Sequence, residues 1–106
     1  MPAETLGIIV NGATSGIANR QHLAQALVPI IEQGGLPIGE RVVMPRLLLI
    51  GRDDGRLQET AGRFGLDAWS TDLDGALADE QYPVFFDAGH TGGRAARLRA
   101  ALAAGK

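Results

Sequence analysis

Short apolar runs alternate with longer amphipathic stretches along this chain of 106 residues. The runs are continuously apolar and only a few residues long, which is typical of strands buried on both faces of a parallel sheet. The stretches between them repeat apolar residues at helical spacing. The pattern therefore predicts the order β-α-β-α-β-α-β-α, with strands near residues 6–11, 46–51, 67–70 and 83–87.

This order predicts an α/β fold, because a helix that follows each strand can cross back over a parallel sheet. Right-handed crossovers then give a Rossmann-type three-layer sandwich, with a parallel sheet of strand order 3-2-1-4 and helices on both faces. We expect one domain over residues 1–106.

Capping residues and glycines mark the expected ends of the helices. Asp53 or Asp54 can cap the second helix, and Gly65 should end it. Thr71 can cap the third helix, and Gly105 should end the last one. On that last helix, Arg97 and Arg99 are expected to be solvated.

The turn after the first strand carries the strongest candidate chemistry. Residues 11–18, NGATSGIA, join the strand directly to the predicted first helix, which runs from Ile17 to about Gln33. A helix that begins at such a turn points unpaired N–H groups, and the positive end of its dipole, toward a ligand above the turn. The turn is predicted to hold a pyrophosphate through Gly12, Ala13, Thr14, Ser15, Gly16 and Ile17. An ordinary turn that binds nothing is the alternative, because glycine, serine and threonine serve such turns too.

The end of the second strand is where a dinucleotide fold reads the adenosine ribose, with an acid for a 2′-hydroxyl or an arginine for a 2′-phosphate. Gly51 leaves room there, and Arg52 offers a planar set of donors suited to phosphate oxygens. This favours NADP over NAD, with Asp53 as a further ribose acceptor; a solvated arginine is the alternative. Residues 34–45 are predicted to form an extended connection, in which residues 42–44 could add a short edge strand.

A second polar turn follows the fourth strand. Because the carboxyl ends of parallel strands share one edge of the sheet, this turn should lie beside the first one. Asp87, Ala88, His90 and Thr91 are predicted to contact the nicotinamide-side ribose or the pyrophosphate. The alternative is that Asp87 caps its turn and His90 faces solvent.

Composition narrows the classes of function. The net charge of −2 provides no basic field for nucleic acid or a membrane surface, so neither is an expected partner. The chain has no cysteine, which excludes disulfides and cysteine-ligated metals, and the acidic residues of 72–80 are expected to form a solvated face instead of a metal site. No apolar run is long enough for a membrane span, and the first residues lack the features of a signal peptide, so a cytoplasmic location is expected.

Nearly the whole chain resembles the nucleotide-binding domain of the glucose-fructose oxidoreductase/inositol dehydrogenase/MocA family. The resemblance rests on the order and spacing of Arg52, Ala61, Phe64, Gly65, Thr71, Asp72, residues 84–87, and Ala104, Gly105 and Lys106. It implies an NAD(P)-dependent oxidoreductase that transfers hydride between the nicotinamide and a sugar, polyol or related hydroxyl or carbonyl compound.

The sequence also departs from this family. The glycine motif carries an additional residue, and His22 stands one place further from Ala18 than the family's helix histidine. The family's catalytic lysine lies beyond the position matched by Lys106, so no catalytic residue is assigned here. We therefore expect a fragment or isolated domain. It should bind substrate and be active only together with a C-terminal part. A homo-oligomer is a possible assembly.

Two other functions fit parts of the pattern. Residues 11–18 are close to the TGxxxGxG motif of short-chain dehydrogenases/reductases, but the Tyr-x-x-x-Lys pair of that family is missing, since Phe86 stands four places after Tyr82. A non-catalytic NADP-binding module that senses redox state or scaffolds a partner is the second alternative.

Overall fold

A computed structural model describes residues 4–13, 27–87 and 93–106 of the chain. The predicted first helix is described only near its end, as α1. The elements within these ranges are β1 (Glu4–Asn11), α1 (Val28–Glu32), β2 (Leu36–Ile38), β3 (Arg41–Ile50), α2 (Asp54–Phe64), β4 (Trp69–Ser70), α3 (Leu73–Ala78), β5 (Val84–Asp87) and α4 (Arg94–Ala103).

β1 lies between β3 and β5 and is parallel to both, as predicted. Its pairing with β3 runs from Glu4↔Val43 to Asn11↔Ile50, and its pairing with β5 ends at Asn11↔Asp87. The short strand β4 pairs in parallel with the end of β3. The three parallel pairings implied by the predicted strand order are therefore present.

The prediction of a purely parallel, four-stranded sheet is wrong. Over the described residues the sheet has five strands, in the order β2-β3-β1-β5 with β4 paired to β3 outside this path. β2 pairs antiparallel with the first residues of β3. The connection over residues 34–45 thus forms a hairpin, and β3 begins at Arg41. Pro45 lies between the parts of β3 that pair with β2 and with β4. A strand with an open side tolerates proline, which cannot donate to a ladder.

Helices pack on both faces of this sheet, because successive strand residues point to opposite sides. One face places Ile8, Val10, Leu47 and Leu49 against α1 and α2, with Leu57 and Ala61 fully buried. The other face places Ile9 and Ile50 against Ala76, Leu77 and Ala101 of α3 and α4. Burial of such aliphatic side chains stabilises the fold by roughly 1.5–3 kcal/mol each. The three layers therefore follow from the alternation within β1 and β3.

The helix ends match the predicted capping chemistry with one exception. Asp53 caps α2 by accepting a hydrogen bond from the Arg56 N–H at 3.1 Å, and Gly65, at φ 69°, ends that helix. α4 ends at Ala103, and Gly105, at φ 84°, directly follows its C-cap residue Ala104. The predicted Thr71 cap is wrong: Asp72 caps α3 by accepting from the Gly75 N–H at 3.0 Å. The first helical residue is Leu73, so the capping position falls one residue after Thr71.

The amino end of the sheet is closed by an exposed ion pair. Arg41, at the start of β3, donates to both carboxylate oxygens of Glu4 at the start of β1. The hydrogen bond from Arg41 lowers the pKa of Glu4 below its usual range.

Among the described helices, none has the length and hydropathy needed to cross a membrane.

Candidate functional site

The described site residues lie at the carboxyl ends of the three parallel strands β1, β3 and β5. They are Gly12, Ala13, Arg52, Asp53 and Asp87. The other predicted site residues, Thr14, Ser15, Gly16, Ile17, Ala88, His90 and Thr91, lie outside the described residues and stay predictions.

The turn after β1 is hydrogen-bonded to the end of β3. Gly12 has φ 74°, a left-handed conformation that glycine adopts without steric cost. The N–H groups of Gly12 and Ala13 both donate to the Ile50 carbonyl, at 2.9 and 3.2 Å, and Ala13 is fully buried. Because these two N–H groups already have a partner, Gly12 and Ala13 shape the turn.

Asp87, the last residue of β5, joins three elements. Its Oδ1 accepts from Asn11 Nδ2 at 3.0 Å. Its Oδ2 accepts from Arg94 Nε at 3.2 Å and from Arg97 Nη2 at 3.0 Å. The Asp87 side chain is only 4% exposed, against 40% for Arg94 and 18% for Arg97. We call these four residues the Asp87 network; it ties β1, β5 and α4 together.

The Asp87 network changes the electrostatics expected at this edge. One carboxylate and two guanidinium groups sum to a net charge of +1, so the carboxylate does not stand alone before an anionic ligand. This arrangement is compatible with a diphosphate.

Sequence reasoning missed most of the Asp87 network. Asn11 received no role, and the expectation that Arg97 is solvated is wrong, because the Arg97 side chain is 18% exposed and is paired with Asp87. The spacing of Arg94 and Arg97, three residues apart on a helix that follows Asp87, was an available signal. A buried partner for that pair could be recognised only once β5 and α4 were placed.

The end of β3 presents the residues predicted to read the ribose. Arg52 is exposed. Asp53 is engaged as the cap of α2. An ideal Cβ at Gly51 would lie 3.1 Å from Leu57 Cδ2, a tight contact with a fully buried side chain. Close packing of α2 is therefore a structural reason for glycine at this position.

Within the described ranges, no group of three or more histidine, aspartate and glutamate side chains is arranged to hold a metal ion. Among the described residues of this edge, the polar groups are those of the backbone, Asn11, Asp87 and the arginines.

The chain has a curated relative that aligns over most of its length. D-xylose dehydrogenase from Paenarthrobacter nicotinovorans is 36% identical over 100 residues, which is 93% of this chain and 26% of that protein. No protein-family model matches the chain.

Solved structures share the fold. The chain superimposes on levoglucosan dehydrogenase, in complex with NADH and levoglucosan, with a TM-score of 0.74 and 22% identity. It superimposes on scyllo-inositol dehydrogenase from Lactobacillus casei, with bound NAD(H) and scyllo-inositol, with a TM-score of 0.68 and 14% identity. Each match covers 97% of this chain and 26% of the solved chain, so the sequence spans about a quarter of the length of these relatives.

The 36% identity over nearly the whole chain and the shared fold agree with the motif order from Arg52 to Lys106. In sequence and in fold the chain is therefore similar to the nucleotide-binding domain of the glucose-fructose oxidoreductase/inositol dehydrogenase/MocA family.

Proposed function

We propose that this chain binds a nicotinamide dinucleotide at the carboxyl edge of its sheet. In the whole protein, this domain would serve hydride transfer between the nicotinamide and a sugar, polyol or related hydroxyl or carbonyl compound. The observation that carries the proposal is the Gly12 turn at the end of the central strand β1, between β3 and β5. Ligands of open α/β sheets lie outside the carboxyl ends of the strands.

The local chemistry supports a diphosphate at this position. Gly12 turns the chain across the strand ends, and the Asp87 network places a net positive charge on the neighbouring strand and helix. The dinucleotide would supply the hydride chemistry, and the protein would bind and orient it. The relatives support the substrate class, because those named above are dehydrogenases of D-xylose, levoglucosan and scyllo-inositol.

Binding is tested by calorimetric titration of the wild-type chain with NADH and with NADPH, together with thermal unfolding at increasing ligand concentration. We expect heat of binding, and a melting temperature that rises with ligand concentration, because a ligand of the native state stabilises it by mass action. Gly16→Val should abolish both signals by filling the predicted approach to the pyrophosphate. Gly62→Ala, in α2 with nothing within 4 Å of the added methyl group, is the control and should bind as the wild type does. No heat and no stabilisation with either cofactor would reject the proposal.

We further propose that Arg52 selects NADPH over NADH by contacting the 2′-phosphate. Arg52 is exposed at the end of β3, next to the cap of α2. A charge-assisted hydrogen bond contributes roughly 1.5–3 kcal/mol, which corresponds to about one to two decades of affinity. Arg52→Ala should weaken NADPH binding by that factor and leave NADH binding nearly unchanged.

Both dissociation constants must be measured at one ionic strength, because exposed charges are screened by salt. Arg56 is an exposed arginine in the first turn of α2, and Arg56→Ala is the matched control. It should leave the ratio of the NADPH and NADH dissociation constants unchanged. Equal losses for the two cofactors in Arg52→Ala, or no loss for NADPH, would show that Arg52 does not read the phosphate. Gly51→Asp is a poorer test, because its Cβ would press on Leu57.

A further inference from the structure

We propose that Asp87 is a positioning residue for dinucleotide binding, acting through Asn11 on the Gly12 turn. This inference rests on the proposed function, since it assigns a role at the same edge of the sheet. It differs from the direct contact with ribose or pyrophosphate that the sequence predicts for Asp87.

The Gly12 turn is held from both sides. The paired residues Asn11↔Asp87 are the last of the β1 and β5 ladder. On the β3 side, Gly12 and Ala13 donate to the Ile50 carbonyl. On the β5 side, Asn11 Nδ2 donates to Asp87 Oδ1, which adds a side-chain bond where the ladder ends. The position of the turn therefore depends on the position of the Asp87 carboxylate.

The Asp87 carboxylate is fixed in turn by α4. Arg94 and Arg97 stand three residues apart, which places them on one side of the helix. Arg97 donates from both Nε, at 3.2 Å, and Nη2, at 3.0 Å. Arg94 and Arg97 donate to Oδ2 and Asn11 donates to Oδ1, so the two oxygens of the carboxylate have different partners. A continuous set of hydrogen bonds thus leads from α4 through Asp87 and Asn11 to the turn.

Direct contact of Asp87 with the ligand is the weaker assignment. The side chain is 4% exposed, and its oxygens accept from Asn11, Arg94 and Arg97. A carboxylate against a pyrophosphate would also add repulsion between like charges. Asp87 is better suited to hold the residues that form the site than to contact the ligand itself.

The test combines dissociation constants with amide hydrogen exchange in Asp87→Asn, which keeps the volume and one acceptor but removes the charge. We expect the dissociation constant for the preferred dinucleotide to rise about tenfold, the change that about 1.4 kcal/mol produces. We also expect faster exchange at the Gly12 and Ala13 amides, because a loosened turn opens more often, with little change at Val10 in the buried part of β1. Arg94→Gln is the second variant, for the case that Asp87→Asn does not fold. It removes one half-exposed guanidinium donor, so we expect smaller changes in the same direction.

Leu77→Val is the control for a general loss of stability, because Leu77 is buried in the cluster around α3 and α4. It should leave the dissociation constant and the relative exchange of Gly12 and Ala13 unchanged. A wild-type chain that binds neither cofactor overturns the proposed function. Hydrogen exchange in the variants then still tests whether Asp87 stabilises the Gly12 turn. With a binding wild type, three results overturn the positioning role: an unchanged dissociation constant, weaker binding without faster exchange at the turn, and exchange raised equally at all amides.

Discussion

Replacing Gly7 by alanine is expected to lower the free energy of unfolding by about 3 kcal/mol or more, at the upper end of what overpacking a core costs. An ideal Cβ at this position would lie 1.9 Å from the Gln81 carbonyl oxygen and 2.9 Å from Tyr82 Cα. These are backbone atoms, which cannot rotate away as the end of a side chain can. Either β1 or the segment before β5 must move.

The same movement would disturb the centre of the sheet. Gly7 is buried in β1, and Ile8, the next residue, pairs with both Leu47 of β3 and Val84 of β5. Tyr82, beside the clash, is buried in the cluster under α3 and α4. A shift at Gly7 therefore strains two pairings and one core cluster together, which is why a single methyl group should have so large an effect.

Urea unfolding of the wild type, Gly7→Ala and Gly62→Ala measures this effect with a matched control. Gly62 lies inside α2, and nothing is within 4 Å of its added Cβ. Gly62→Ala should therefore raise stability by roughly 0.5–1 kcal/mol, the usual gain at an unstrained helix position. A Gly7→Ala chain as stable as the wild type would mean that β1 and residues 81–82 are not packed as described.

Replacing Asp87 by alanine is expected to cost about 3 kcal/mol of stability, because it removes a carboxylate that is 4% exposed and accepts hydrogen bonds from two arginines. The carboxylate is 4% exposed and Arg97 is 18% exposed, so water can replace little of the lost interaction. Arg94, at 40% exposure, is better solvated and contributes less of the loss. Asn11 also loses the acceptor of its amide group.

Thermal or urea unfolding of Asp87→Ala should be compared with Glu59→Gln. Glu59 and Arg63 form an ion pair four residues apart on α2, with side chains 75% and 57% exposed. Loss of such an exposed pair should change stability by no more than about 0.5 kcal/mol. Similar losses in the two variants would contradict the burial of the Asp87 carboxylate.

Both residues lie on strands that the sequence locates correctly, yet neither effect is visible in the sequence. The apolar runs identify β1, the second half of β3, and β5, because strands covered on both faces must be continuously apolar. The helix ends at Gly65 and Gly105 also follow from local chemistry, since each residue needs φ > 0. The Asp53 cap belongs to the same class, because an N-cap contacts only N–H groups of the next turn.

The missed features depend on contacts between residues far apart in the chain. The hairpin β2–β3 was predicted as an extended connection, because two prolines and three glycines outweighed the short apolar segments in a local reading. Asn11 and Asp87 are 76 residues apart, and no spacing rule links them. The contact of Gly51 with Leu57 depends likewise on how α2 packs against the end of β3.

The sequence by itself determined the class of fold, the ends of most helices and the turn at the end of β1, because each depends on periodicity or on neighbours within one helical turn. It also carried the order of motifs that resembles the nucleotide-binding domain of the glucose-fructose oxidoreductase/inositol dehydrogenase/MocA family. Only the tertiary structure decided that β2 pairs antiparallel with β3 and that Arg97 is paired with the buried Asp87 carboxylate. It also decided that the backbone of residues 81–82 leaves room only for glycine at position 7. These features depend on contacts between residues far apart in the chain, which form only when the sheet and helices pack together. Local sequence patterns do not predict such contacts.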